Sequence, residues 1–430
     1  MSRVHTFLFA HQRFTPTIGA LILGTALATA CTDQTESATA IAAPSAHAAS
    51  ARRGSDVASG SNTSVHWNEV ARALVASHNT NGPLASRVYA LVSVAQFRAS
   101  IALNHRRTRD GEHGNKGKRR ATSDAAIARA SANVLTGLFP DAASVAMIEA
   151  ARNDDAQPTD GHAAEVGDSI GVEIAQAVLA RAAGDGAAAA NCPATPPTPA
   201  SEFWHDDAVP PNPQPLLPCF GNVRTWLDLD VTQFRADPPP AFGSSPFLAG
   251  VAEVRQISDT RTADQLAIVD RWADGNNTLQ PPGRWNLIAA ELITQHRLDA
   301  RAAARLFAVL NIAMMDTHVA CWDRKYTFWE IRPWQVDPLI TTPRGQPHHP
   351  ANPSGHACAG GAGSGALAGF FPGQRDSLLA LGAEQGFSTV LSGVHFQFDV
   401  DKGLEIGRDI AAKALAVRTI DDLARVVSRP

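Results

Sequence analysis

Apolar residues recur at helical spacing along most of this chain, and no long stretch alternates apolar and polar residues as a half-buried strand does. Trp67, Val70 and Leu74 form the first apolar face, and an Asn-Gly-Pro breaker at 81–83 separates it from the next. Further helical faces are predicted at 127–138, 166–178, 266–272, 285–295, 303–314, 357–370 and 406–415. The sequence therefore predicts a mainly α fold, a helical bundle.

Three polar residues are predicted to cap helices, namely Ser123, Thr262 and Asp299. Gln265 stands at the third position after Thr262 and completes a capping box. The Lys/Arg-rich run at 106–120 contains glycines and is predicted to be a solvated loop, because no aromatic residues interleave with it to stack bases. The formal net charge of −4 gives no other reason to expect a nucleic-acid partner.

Residues 1–31 are typical of a secretory signal, since a short apolar core at 18–30 ends in small residues. Two interpretations are open: lipoprotein processing, which leaves a lipid on Cys31, or ordinary cleavage near 28–30. Residues 32–63 are rich in Ala, Ser and Thr and are predicted to form a disordered tether. No later stretch reaches the roughly 18–20 apolar residues of a membrane span. We therefore expect an exported protein, periplasmic or extracellular, that contacts a membrane only through such a lipid.

Four cysteines remain after Cys31, and in an oxidising compartment they can pair in three ways. The prediction favours Cys192–Cys219, with Cys321–Cys358 as a second candidate pair. Their spacing does not suggest a zinc cluster.

The favoured disulfide would close a proline-rich stretch at about 186–218, which cannot form a continuous helix or a central strand. This stretch is either a linker or a strap packed on the surface of the helical part, predicted at 64–430. Tryptophans at 204 and 226 favour the packed strap.

The part of the chain at about 299–415 carries the residue types that an oxyanion site needs. Lys325 and Arg332 supply two cations, one a point charge and the other a planar fork, as is common around phosphate-like anions. Either cation alone is weak evidence, because surface Lys and Arg residues are usually only solvated.

Pro353-Ser354-Gly355-His356 opens the helix predicted at 357–370. Ser354 can cap this helix, and Gly355 lets the backbone amides at the helix N-terminus approach an anion. His356, in the first turn, is placed to move protons near neutral pH. The helix itself is mostly Ala and Gly, and we expect these small residues to permit close packing of neighbouring helices.

His395 is followed four residues later by Asp399. If this segment is helical, Asp399 can accept a hydrogen bond from one ring nitrogen, which leaves the other nitrogen free to bind a metal or attack phosphorus. A solitary histidine would more often be a packing residue.

Together, Lys325-x6-Arg332-Pro333, Pro353-Ser354-Gly355-His356 and Ser388-x6-His395 resemble the signature of the vanadium-dependent haloperoxidase and type 2 phosphatidic acid phosphatase superfamily. Segments at 85–87, 261–265, 285–286 and 393–396 also resemble its secreted bacterial haloperoxidase-like branch. The resemblance covers most of the chain after about residue 64. It implies the helical bundle of this superfamily, with vanadate as cofactor and phosphate as a competitor for the same site.

The resemblance assigns the equatorial oxygens of vanadate to four residues: Lys325, Arg332, Ser354 and Gly355. It makes His395 the axial ligand to vanadium and His356 the acid–base group. The implied reaction is the oxidation of halide by hydrogen peroxide, with Lys325 polarising the peroxide and vanadium acting as a Lewis acid. His349 stands where algal bromoperoxidases carry histidine, which favours bromide over chloride.

One position departs from the family pattern, which begins its last motif with Ser-Arg where this chain has Ser388-Thr389. Loss of one charge-assisted contact costs on the order of 1.5–3 kcal/mol of anion affinity. Arg375 and Arg408 are candidates to replace the missing cation.

Two other functions use the same residues. In a soluble acid phosphatase, His395 would be the nucleophile that forms a phosphohistidine from a phosphate ester, and His356 would protonate the leaving group. In a non-enzymatic protein, the pocket would bind an oxyanion without turnover, and Thr389 is the only support for this reading. Asp264, at a helix start, is the candidate for orienting His356.

Overall fold

A computed structural model of the protein describes residues 62–110, 116–154, 161–207, 210–212 and 214–429. Within these ranges the chain forms fourteen α-helices: α1 Thr63–Ser77, α2 Gly82–Asp110, α3 Lys116–Leu138, α4 Ala142–Asp154, α5 Gly161–Ala183, α6 Ser245–Thr260, α7 Ala263–Arg271, α8 Gln280–Gln295, α9 Ala300–Phe328, α10 Pro333–Val336, α11 Gly355–Phe370, α12 Arg375–Leu391, α13 Gln397–Ala416 and α14 Ile420–Val427. The strand-like pairing in this part is one isolated bridge between Phe203 and Glu330. The mainly α prediction is confirmed.

Two of the three predicted caps are present. Thr262 accepts a hydrogen bond from the Gln265 amide and forms the full capping box, and Asp299 accepts one from the Ala302 amide at 2.8 Å. Ser123 does not cap a helix, because α3 already begins at Lys116. The predicted loop at 106–120 is wrong for the same reason.

In that run, α2 continues to Asp110 and α3 starts at Lys116, while 111–115 lie outside the described residues. Lys and Arg are good helix formers, so a dense run of them can extend a helix. The predicted signal at 1–31 and nearly all of the predicted tether at 32–63 also lie outside the described residues. Within the described ranges, no helix has both the length and the apolar character needed to cross a membrane.

α9 is the central helix of the bundle. It is buried over most of its length and on all sides, and α2, α11 and α13 pack against it. A helix that is buried on all sides lies in the core of a bundle, although this one also carries buried polar residues such as Asn311 and Asp316. Its C-terminal part carries Arg324 and, in the last turn, Lys325, and both side chains are buried. The central helix α9 thus places two cationic side chains in the interior of the bundle.

The glycines of α11 allow neighbouring helices to approach closely, as the sequence predicted. A Cβ atom added at Gly361 would lie 2.5 Å from the carbonyl oxygen of Leu404 in α13. One added at Gly363 would overlap the indole of Trp285 in α8. These contacts fix the position of α11, whose N-terminus lies at Gly355.

The proline-rich stretch is a packed strap, and its predicted disulfide Cys192–Cys219 is confirmed. Trp204, within the strap, is only 2 % exposed, and its amide donates to the carbonyl of Trp329 just beyond α9. The second candidate pair does not form a disulfide, since Cys321 and Cys358 are buried free thiols.

We predict that Gly363→Ala lowers the free energy of unfolding by about 1–3 kcal/mol or more, because the added methyl group overpacks against Trp285. The indole cannot easily move aside, since its Nε1 donates to Gln385 at 2.8 Å. Urea denaturation with an unchanged m-value measures the loss.

Gly161→Ala is the matched control, because no atom lies within 4 Å of a Cβ at that position. We expect this variant to be as stable as the parent or slightly more stable. Equal stability of the two variants would contradict the packing role of Gly363.

Candidate functional site

A tight turn after α9 brings Lys325 and Arg332 together. Trp329 adopts a left-handed conformation (φ 50°), and its amide donates to the Lys325 carbonyl at 2.9 Å. The chain then extends to Arg332, which precedes α10, with Pro333 at the first helical position. Both cationic side chains are fully buried. The two predicted cations therefore lie in one interior region.

Both cations are hydrogen bonded to the loop that precedes α11. The Lys325 ammonium donates to the carbonyls of Pro350 at 2.9 Å, Ala351 at 2.7 Å and Pro353. An ammonium has three N–H donors, so this set of acceptors uses all of them. Burial lowers the pKa of Lys325 to about 8, with the positive charge of Arg332 acting in the same direction. Lys325 therefore shapes the loop, and a direct contact with an anion requires it to release one carbonyl.

The Arg332 guanidinium joins this loop to His395. Its Nε and Nη2 donate to the His349 carbonyl at 3.0 and 2.9 Å, and its Nη1 donates to the Val394 carbonyl at 2.6 Å. The same Nη1 lies 3.0 Å from Nε2 of His395. Burial lowers the pKa of Arg332 to about 9, and the carboxylates of Asp399 and Glu330 act in the opposite direction.

The N-terminus of α11 provides two unused backbone donors. Ser354 accepts a hydrogen bond from the Ala357 amide at 3.3 Å and caps the helix as predicted. Within the described ranges, the amides of Gly355 and His356 have no hydrogen-bond acceptor. Such amides at the positive end of a helix are a favourable place for an anion.

His395 presents a neutral ring nitrogen to this region. Its Nδ1 lies 3.0 Å from Oδ2 of Asp399, as predicted, although His395 itself precedes α13 and Asp399 lies in its first turn. This contact places the ring proton on Nδ1 and leaves the lone pair on Nε2. Burial lowers the pKa of His395 well below its ordinary value, and the charges of Arg332 and Lys325 lower it further.

His356 is partly exposed and lies in the first turn of α11. Burial lowers its pKa, whereas the Asp274 carboxylate and a hydrogen bond with the Trp272 backbone raise it. Both of these residues follow α7. Asp264, the predicted orienting residue, is exposed at the other end of that helix, so it is not the partner of His356.

Thr389 lies where the family pattern has arginine. Its hydroxyl donates to the Gly386 carbonyl at 2.7 Å and lies 3.2 Å from the hydroxyl of Ser354. Since the proton of Thr389 is already used, Ser354 donates to Thr389 in this contact. Arg375 and Arg408 are exposed at the surface, so neither replaces the missing cation.

Three buried polar residues beside the site were not found from the sequence: Arg324, Glu330 and Asn352. Asn352 donates to Oδ1 of Asp399 at 2.9 Å and accepts from Nε of Arg324 at 2.8 Å. Burial and the nearby Asp399 carboxylate raise the pKa of Glu330 well above its ordinary value. Asn352 directly precedes the Pro-Ser-Gly-His motif, which is the only signal that the sequence offers.

His349 also lies at this site. Its Nδ1 is 3.1 Å from Nη2 of Arg332, and its ring centroid is 5.2 Å from that of Trp322. Burial and the charges of Lys325 and Arg332 hold its pKa well below the ordinary value. The structure therefore brings Lys325, Arg332, His349 and His395 together, and backbone carbonyls accept most of the hydrogen bonds of the two cations.

Residues 302–419, which contain the site, match the family described as the PAP2 superfamily. A search of curated proteins finds no match to this sequence.

Among solved structures, the chain is similar to the first bacterial vanadium-dependent iodoperoxidase, with a TM-score of 0.68 at 18 % identity over 85 % of this chain and 97 % of that one. It is also similar to a bacterial vanadium-dependent chloroperoxidase in its holo form, with a TM-score of 0.62 at 16 % identity over 82 % and 94 % of the two chains. The apo form of such a chloroperoxidase gives a TM-score of 0.60 at 15 % identity, over 81 % and 95 %.

Residues 302–419 thus match the PAP2 superfamily, and the described part of the chain has an all-helical fold similar to that of the bacterial vanadium-dependent peroxidases.

Proposed function

We propose that the protein is a vanadium-dependent haloperoxidase, which oxidises halide with hydrogen peroxide at a vanadate bound to His395. One observation carries this proposal: the neutral Nε2 of His395 lies beside the guanidinium of Arg332, in the fold of the bacterial vanadium-dependent peroxidases. A ring nitrogen can bind a metal centre through its lone pair, and a cation beside it favours an anionic one. Here the lone pair accepts from Arg332, so this donor must move aside when Nε2 binds a metal centre.

The donor set fits a tetrahedral oxyanion. Gly355 and His356 offer backbone amides, Ser354 offers a hydroxyl, and Arg332 offers a guanidinium that can exchange a carbonyl for an anion oxygen. Vanadate bound there would supply a Lewis-acid centre for hydrogen peroxide. Lys325 contributes its charge and the shape of the loop at 350–353, and it reaches the anion only if it releases a carbonyl.

His356 is the proton-transfer group of the proposed reaction. Its lowered pKa keeps the imidazole neutral at neutral pH, so it can accept a proton from an incoming peroxide. Its hydrogen bond with the Trp272 backbone supports the ring from the side of α7. For the halide, we propose bromide over chloride, on the support of the resemblance of His349 to a histidine of algal bromoperoxidases.

A soluble acid phosphatase is the second candidate function. The Asp399–His395 pair leaves Nε2 unprotonated, as a nucleophile that attacks phosphorus needs, and the PAP2 match is consistent with this chemistry. In this reaction His356 would protonate the leaving group of a phosphate monoester.

We also propose that the protein is exported, on the support of the signal-like residues 1–31.

One experiment separates these functions. Protein loaded with orthovanadate is assayed for peroxide- and bromide-dependent halogenation of a phenol, and metal-free protein is assayed for release of phosphate from monoesters. Halogenation supports the haloperoxidase. Ester hydrolysis with a trapped phosphohistidine, and no halogenation, would replace it by the phosphatase, and tight orthovanadate binding without either activity would leave a binding protein.

We predict that His395→Ala abolishes orthovanadate binding and halogenation together, because the ring nitrogen that would hold the vanadate is lost. His356→Ala should still bind orthovanadate but turn over about 10²–10⁴ times more slowly, since it removes only the proton-transfer group. Calorimetry and steady-state rates measure the two effects. If His356→Ala lost binding as completely as His395→Ala, the division of roles would be wrong.

We predict that Thr389→Arg tightens orthovanadate binding by about tenfold or more, because one charge-assisted hydrogen bond is worth roughly 1.5–3 kcal/mol. Thr389→Met is the matched control, since it also releases the Ser354 hydroxyl but adds no charge. The dissociation constants of the two variants for orthovanadate distinguish the effect of the added charge from the effect of releasing the Ser354 hydroxyl. Equal affinities would show that an arginine at 389 does not reach the anion.

A further inference from the structure

A continuous line of buried hydrogen bonds runs from the end of α9 to His395. Arg324 Nε donates to Asn352 Oδ1 at 2.8 Å, and Asn352 Nδ2 donates to Asp399 Oδ1 at 2.9 Å. The other carboxylate oxygen of Asp399 lies 3.0 Å from Nδ1 of His395. All four side chains are at most 3 % exposed, so no bulk water competes for these bonds.

The direction of the Asn352 amide is fixed by its partners. The oxygen and nitrogen of an asparagine amide are interchangeable in shape, so only the partners decide which way the amide points. Arg324 can only donate and a carboxylate accepts, which puts Oδ1 toward Arg324 and Nδ2 toward Asp399. Arg324 is itself held by the carbonyls of Phe234, Ala236 and Asp237 at 2.7–2.8 Å.

The Asp399 carboxylate needs this support. The terminal torsion of an aspartate is soft, so its plane is set by hydrogen bonds rather than by the torsion itself. Oδ2 receives the Phe396 amide at 3.0 Å in addition to His395, while Oδ1 receives Asn352. Glu330 is the other carboxyl group beside Asp399, and Lys325 and Arg332 are the nearby cations.

We infer that Asn352 is a positioning residue for His395: by donating to Oδ1 it fixes the Asp399 carboxylate so that Oδ2 holds the proton of His395 on Nδ1. The lone pair then stays on Nε2, on the side of Arg332. Without this donor, the carboxylate can turn toward Glu330 and lose its hold on the ring. The importance of the lone pair for anion binding rests on the proposed function, whereas the control of the tautomer does not.

Asn352→Asp tests the inference. The carboxylate has nearly the same shape and still accepts from Arg324, so the loop keeps this anchor, but the donor to Asp399 is lost. We expect the ¹⁵N resonances of His395, in protein labelled at histidine and assigned with His395→Gln, to move from a pure Nδ1–H tautomer toward a mixture. The dissociation constant for orthovanadate should rise by about 10–100-fold, as is usual when a partner of a metal-binding histidine is lost.

Asn311→Asp is the matched control, because it makes the same exchange in a buried amide network with Asn286 and Ser93, fourteen residues before Lys325 along α9. It should lower stability without changing the His395 resonances. If Asn352→Asp does not fold, Asn352→Ala removes the same donor without adding a charge.

Unchanged His395 resonances in a folded Asn352 variant would overturn the inference. Parent protein that binds no orthovanadate would contradict the proposed function instead. In that case, the resonances of His395 would still decide the role of Asn352.

Discussion

The site depends on three buried cations whose hydrogen bonds are accepted mainly by backbone carbonyls. Arg324, Lys325 and Arg332 are 0–1 % exposed, and moving charged groups of this kind out of water costs several kcal/mol each unless they are well hydrogen bonded. Together they donate to carbonyl groups at 234–237, at 349–353 and at 394. Because these carbonyls lie in the segments between the α-helices, the burial of the charges and the conformation of these segments depend on each other.

The electrostatic state of the histidines follows from this arrangement. The positive charges of Lys325 and Arg332 add to burial in lowering the pKa of His395 and of His349. The neutral imidazoles of His395 and His349 therefore lie beside the proposed anion site. Asp399 determines which nitrogen of His395 keeps its proton. An excess of positive charge and a neutral ligand nitrogen favour an anionic guest over a cation or a neutral molecule.

The sequence predicted the bundle, and it predicted residues that the structure brings together around His395, because both are carried by local patterns. Helical periodicity and the Ala/Gly composition of α11 led to the correct packing, and the motif spacing led to Lys325, Ser354 and His395. The loop at 106–120 was predicted wrongly since charge density does not exclude a helix. Asn352 and Arg324 were missed because their partners are distant in the chain, and Asp264 was chosen from a helix start that faces away from His356.

The N–H donors of these cations already have acceptors within the protein, which limits the donors that are left for an anion. Lys325 has no free donor, Arg332 shares its donors with His349, Val394 and His395, and the Ser354 hydroxyl is turned to Thr389. The donors that need no rearrangement are the two amides that open α11. Their position is fixed by the glycine contacts of that helix with α8 and α13, so close helix packing far from the chemistry sets the geometry of the anion site. In the proposed function, anion affinity would therefore depend on how closely α11 packs against α8 and α13, as well as on the charges around its N-terminus.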